Sequence, residues 1–95
     1  MFGSNRPIVI RRNHSLDREN VRNRVEDVAR EMKQNLNVTY QWQGDRLTFE
    51  RLGAHGHIHL NGDEVEVKVI RNSFLPISER WLKDKIHEYL DHHLD

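Results

Sequence analysis

Hydrophobic spacing changes twice along the chain, from a helical period near 3.6 to a strict period of 2 and back, and this limits the fold more than any other feature. Val21, Val25, Val28, Ala29, Met32 and Leu36 recur at helical intervals and make one apolar stripe. Arg18, Arg22, Glu26, Asp27, Arg30 and Lys33 fall on the other side, which reads as a solvated face. From Val38 the period is 2. Val38, Tyr40 and Trp42, then Leu47 and Phe49, then Ile58 and Leu60, then Val65, Val67 and Val69 alternate with polar residues. Such alternation predicts antiparallel strands with one apolar and one polar face. Leu82, Ile86 and Leu90 restore the helical period over residues 78–94, with Trp81, Tyr89 and Leu94 on the flanks.

The breaks between these segments set the order of elements. Pro7 and the β-branched run Ile8, Val9 and Ile10 predict a strand over about residues 7–12, in a first or edge position. Ser15 is the expected cap of the first helix, with Asp17 and Glu19 in its first turn and Asn35 or Asn37 at its end. Gly44-Asp45 turns the chain, and Asp45 reads as a turn residue that satisfies local backbone amides. Gly53 and Gly56 predict a bulge or loop over residues 52–56. Asn61-Gly62 predicts a type I′ hairpin turn. The result is an α+β fold of order β-α-β-β-β-β-α. If strand 1 pairs with strand 5 every neighbour is antiparallel, and if it pairs with strand 2 that one pair is parallel; the first is favoured and gives a five-stranded antiparallel sheet, in spatial order 2-3-4-5-1, with both helices on one face. The 95 residues are expected to form one domain, with residues 1–6 a flexible lead-in. Strand 2 would then be an open edge, through which a homodimer could form.

Composition excludes several classes of function. Fifteen Lys and Arg balance fifteen Asp and Glu, so nothing draws the chain generally to nucleic acid. Arg6, Arg11, Arg12, Arg18, Arg22 and Arg24 make the start basic, but no exposed aromatic platform accompanies them. There is no cysteine, so disulfides and thiol chemistry are ruled out. No apolar run is long enough to span a bilayer and no secretory h-region is present, so a cytoplasmic location is expected. Ser4, Ser15, Ser73 and Ser78 sit in terminal, capping or loop positions, and no glycine-rich phosphate loop or nucleophile elbow is present. A non-catalytic protein without a cofactor is the expectation.

Three places remain for function. Seven histidines stand out, and His55, His57 and His59 would share a strand face if that strand were regular. His57 and His59 are the candidate metal ligands, with Glu64 or Glu66 to complete a site. The bulge expected at Gly56 favours solvated histidines and no metal. Arg12 and His14 share a face at the strand–helix junction. There the structural alternative is a bond from His14 to backbone and a pairing of Arg12 with a sheet carboxylate. Phe74, Leu75, Pro76 and Ile77 form an apolar approach to the last helix, with Trp81 one turn on. They either close the core or meet a partner.

Four motifs carry a family resemblance. They are Ile8-x-Ile10-x-Arg12-x-His14-x-Leu16, Trp42-x-Gly44-Asp45, Gly53-x-x-Gly56, and Leu82-x-x-x-Ile86-x-x-x-Leu90-Asp91. In this order and spacing the chain, over roughly residues 8–94, resembles the small bacterial polyhydroxyalkanoic acid system proteins. Residues 71–77 and Lys83 depart from the family pattern. The resemblance implies a link to polyhydroxyalkanoate storage granules and implies no catalytic residue. The leading expectation is an accessory or interaction protein that meets the granule surface or a granule-associated protein through Phe74, Leu75 and Trp81. A small apolar-ligand binder, with Tyr40, Trp42, Phe49 and Trp81 around its pocket, is the alternative. A zinc-dependent hydrolase built on His57 and His59 comes third.

Overall fold

The computed structural model describes residues 6–72 and 77–94. The elements run β1 (Ile8–Asn13), α1 (Arg18–Leu36), β2 (Thr39–Gln43), β3 (Arg46–Arg51), β4 (Ala54–Asn61), β5 (Glu64–Arg71) and α2 (Glu79–Leu94). The five strands form one sheet in the order β1-β5-β4-β3-β2. Every neighbouring pair is antiparallel. Class and element sequence are those the alternation predicts, and β1 lies beside β5, the favoured of its two expected places.

Cross-strand register converts the alternation into rows. Ile10, Val67, Ile58 and Leu47 lie side by side, and Trp42 ends the row at the β2 edge. Ile8, Val69, Gly56, Phe49 and Tyr40 make the next row. The α1 stripe and Leu82, Ile86 and Leu90 of α2 join the same buried cluster. Each fully buried Val, Leu, Ile or Phe in it contributes about 1.5–3 kcal/mol.

Gly56 corrects the expected bulge. β4 is regular from Ala54 to Asn61, and the chain turns at Leu52-Gly53 instead. Gly56 sits in the apolar row because nothing larger fits there. A Cβ would stand 1.9 Å from the Lys68 carbonyl oxygen and 2.8 Å from Phe49 Cζ. The next hairpin is displaced by one residue from the predicted turn. Asn61 pairs with Glu64, so Gly62 and Asp63 form the loop. Only the first loop residue, Gly62 at φ 62°, is left-handed, which is the type II′ pattern rather than I′.

Ser15 does not cap α1. Asp17 does, accepting from the Asn20 amide at 2.8 Å. Leu16 and Val21 take the two positions of a hydrophobic staple, and both pack into the core. Asn37, left-handed at φ 61°, ends the helix. The Ser78 hydroxyl caps α2, accepting from the Trp81 amide at 3.0 Å.

One flank of α1, predicted to be solvated, is instead clamped to the β2–β3 hairpin at four-residue intervals. Arg18 donates to Asp45 at 2.5 Å, and Arg22 donates to the Gly44 carbonyl at 2.9 Å. The Arg22 guanidinium also lies 4.0 Å above the Trp42 ring. Glu26 accepts from the Tyr40 hydroxyl at 2.5 Å and from the Trp42 indole at 2.8 Å. Burial alone would raise the Glu26 carboxyl. The Tyr40 and Trp42 bonds, with Arg30 and Arg22 nearby, outweigh it and hold the group below its ordinary value. Asp45 therefore serves the helix rather than its own turn.

Glu26→Ala strips both aromatic donors of their acceptor and should cost about 2–3 kcal/mol, a value for bonds to a charged group. Urea denaturation followed by tryptophan fluorescence checks it, and a change within error would remove the clamp from the account.

Candidate functional site

The parity of β1 decides the surroundings of Arg12. It shares the helix-covered side with Ile8 and Ile10, so it meets α2 and not a sheet carboxylate as expected. Its Nη1 donates to Asp91 Oδ1 at 2.6 Å, and Nη2 lies 3.0 Å from His87 Nδ1. His14 follows at the strand end. Its backbone N–H donates to Asp63 O at 2.8 Å, and its Nδ1 accepts from the Leu16 amide at 3.1 Å. An accepting Nδ1 puts the proton of the neutral ring on Nε2, which is buried without a partner among the described residues. Arg12 thus ties the first strand to the last helix, and His14 shapes the approach to α1.

His55, His57 and His59 do lie on one face, the one without helices, because β4 is regular. His57 stands between Thr48 and Lys68, and His59 between Arg46 and Glu66. His57 Nε2 is 3.5 Å from Glu66 Oε1. The other Glu66 oxygen accepts from Arg11 Nε at 3.1 Å. Burial would raise the Glu66 carboxyl, but His57 and Arg11 outweigh it and keep it below its ordinary value. Glu66, the carboxylate that would complete a site, is thus already paired with a guanidinium, which repels a cation. Among the described residues no group of three His, Asp or Glu side chains could hold a metal ion.

The gap lined by Met32, Phe49, Leu82 and Ile86, among others, has a volume of about 20 Å³, room for one water and no acyl chain. The Tyr40 hydroxyl and the Trp42 indole both donate to Glu26.

The third place is the end of the fold where β5 leads to α2. Phe74 and Leu75 lie outside the described residues. Trp81, in the first turn of α2, is 46% exposed, and Leu52, in the β3–β4 turn, is 90% exposed. Both belong to the same end, since the Asn72 amide donates to Gly53 O at 2.9 Å and Arg71 donates to Ile77 O at 2.8 Å. Leu52 was missed in the sequence because it was grouped with a loop. An apolar residue at a turn tip beside glycine was the available signal.

No helix among the described residues is long and apolar enough to cross a membrane. A family model described as "Putative polyhydroxyalkanoic acid system protein" matches residues 8–94. Neither a curated protein nor a solved structure matches the chain.

Two outcomes follow from the helix-free face. Equimolar zinc should leave the melting temperature of untagged protein unchanged, and a rise of several degrees would reinstate His57 and His59 as ligands. Glu66 has a lowered folded pKa, so the unfolded chain takes up its proton first as pH falls. Its stabilising contribution is complete above the ordinary value of 4.5 and is lost as pH drops through the lower folded value. Glu66→Gln should therefore flatten acid unfolding below about pH 4.5; an unaltered acid profile would contradict the His57–Glu66–Arg11 linkage.

Proposed function

The chain belongs to the polyhydroxyalkanoic acid system protein family, and on that premise we propose that it is a non-catalytic accessory protein of polyhydroxyalkanoate granules. It works in the cytoplasm, where such granules lie, and binds the polymer surface through the apolar end that carries Trp81 and Leu52.

One observation carries the reading. Among the described residues the exposed large apolar side chains are Val9, Leu52 and Trp81, and of these Leu52 and Trp81 share one end of the fold, while most other apolar residues are buried in the core. Water contact at such a patch is removed when it meets an apolar surface. Around Trp81 stand Arg80, Lys83, Asp84 and Lys85, a charged rim suited to keeping the protein soluble when unbound. The Lys85 amine lies 6.0 Å from the Trp81 ring.

The polar groups elsewhere have structural work, which supports binding over catalysis. Ser78 caps a helix, His14 holds a strand–helix junction, and Glu66 is shared between His57 and Arg11. The 20 Å³ gap between the layers weighs against the acyl-ligand alternative.

Co-sedimentation with protein-free polyhydroxyalkanoate particles tests the reading. Wild type should pellet with the particles, and Leu52→Ser with Trp81→Ala should reduce binding about tenfold, the scale of one or two lost apolar contacts. Both side chains are exposed, so the double variant should melt as wild type does. Unchanged binding would remove this surface. Binding only to native granules that retain their proteins would move the contact to a granule-bound protein.

A further inference from the structure

The two edges of the sheet are built differently. β1 begins after Pro7 and carries Arg11 and Arg12. β2 reads Thr39-Tyr40-Gln41-Trp42-Gln43, with no proline, no charge and an unbroken register against β3. Edge strands expose a row of unpaired N–H and C=O groups, and proteins that stay monomeric blunt them with proline, charge or bulges. β2 has none of these.

Its backbone is also preset for pairing. Gln43 and Arg46 flank the two-residue loop Gly44-Asp45, and the pair that closes such a loop is hydrogen-bonded. Alternation then turns the backbone bonds of Gln43, Gln41 and Thr39 toward β3 and those of Tyr40 and Trp42 outward. Glu26 holds both aromatic side chains of these outward residues, so the edge is kept extended before any partner arrives.

We propose that this edge is a self-association surface, on which β2 of a second copy of this chain pairs antiparallel across a two-fold axis at Gln41. That register overlaps the whole five-residue strand. It sets Tyr40 against Trp42 of the second copy on the helix-covered side, an aromatic cross-strand pair. On the open side Thr39 meets Gln43 of the second copy, and Gln41 meets its own equivalent. All these residues are neutral, so no like charges oppose the pairing. The contact is isologous and closes on itself. The joined sheet then ends in β1 at both sides, where Pro7, Arg11 and Arg12 stop further growth. A short edge contact of this kind gives a concentration-dependent dimer rather than a permanent one.

Sedimentation equilibrium over a concentration series tests the proposal with wild type, Gln41→Lys and Gln41→Glu. Gln41 is exposed, so both variants should keep the wild-type melting temperature. Wild type should dimerise reversibly. Each variant alone should dissociate on the order of tenfold more readily, because like charges meet at the axis. An equimolar mixture of the two should recover a one-to-one dimer, because opposite charges then meet. A wild type that stays monomeric up to its solubility limit would overturn the proposal. So would a wild-type dimer that both variants leave intact, or one that both weaken and the mixture does not restore.

Discussion

Two helices can cover one face of a five-stranded sheet and no more, and the rest of the structure follows from that limit. Side chains of one parity are committed to the core. The rows from Ile10 to Leu47 and from Ile8 to Phe49 leave no place for a polar residue. Side chains of the other parity line the helix-free face, where Arg11 stands beside Glu66 and His57 beside Lys68. The flank of α1 then has one remaining task, to fix the outermost hairpin, and Arg18, Arg22 and Glu26 perform it.

The motifs shared with the family are largely absorbed by this architecture. Arg12 of the first motif bonds to Asp91 of the last. Trp42, Gly44 and Asp45 are the points at which α1 holds the hairpin. Gly56 lets Phe49 and the β5 backbone close over β4. Leu82, Ile86 and Leu90 fill the core. Among the described residues, three surfaces lie outside this architecture: the apolar end at Leu52 and Trp81, the helix-free face and the β2 edge. The proposed binding surface and the proposed self-association edge are the first and last of these.

Period and parity were legible in the sequence because they depend only on neighbours along one element. They gave the element sequence, the core and the face shared by His57 and His59. What was hidden depends on distance through space. Glu26 is far in sequence from Tyr40 and Trp42, and a helical plot cannot distinguish a solvated face from a flank that touches a hairpin. Asp17 outcompeted Ser15 as the cap because β1 runs to Asn13 and an extended stretch follows it. The one-residue shift at Gly62 reflects the strand register, which Asn61 obeys before its own turn preference. At Gly56 the glycine pattern suggested freedom where the structure shows crowding. Arg12 was readable after all, since its parity with Ile8 and Ile10 already directed it to the helix side.

The central claim is that the helix-covered face serves stability while the end bearing Leu52 and Trp81 serves binding. Amide hydrogen exchange, measured with and without polyhydroxyalkanoate particles, tests it most directly. The account predicts slower exchange on the particles around residues 52–54 and 77–85, with β4 and β5 unchanged along the histidine face. Protection centred on that face, or no protection at the Trp81 end, would contradict it.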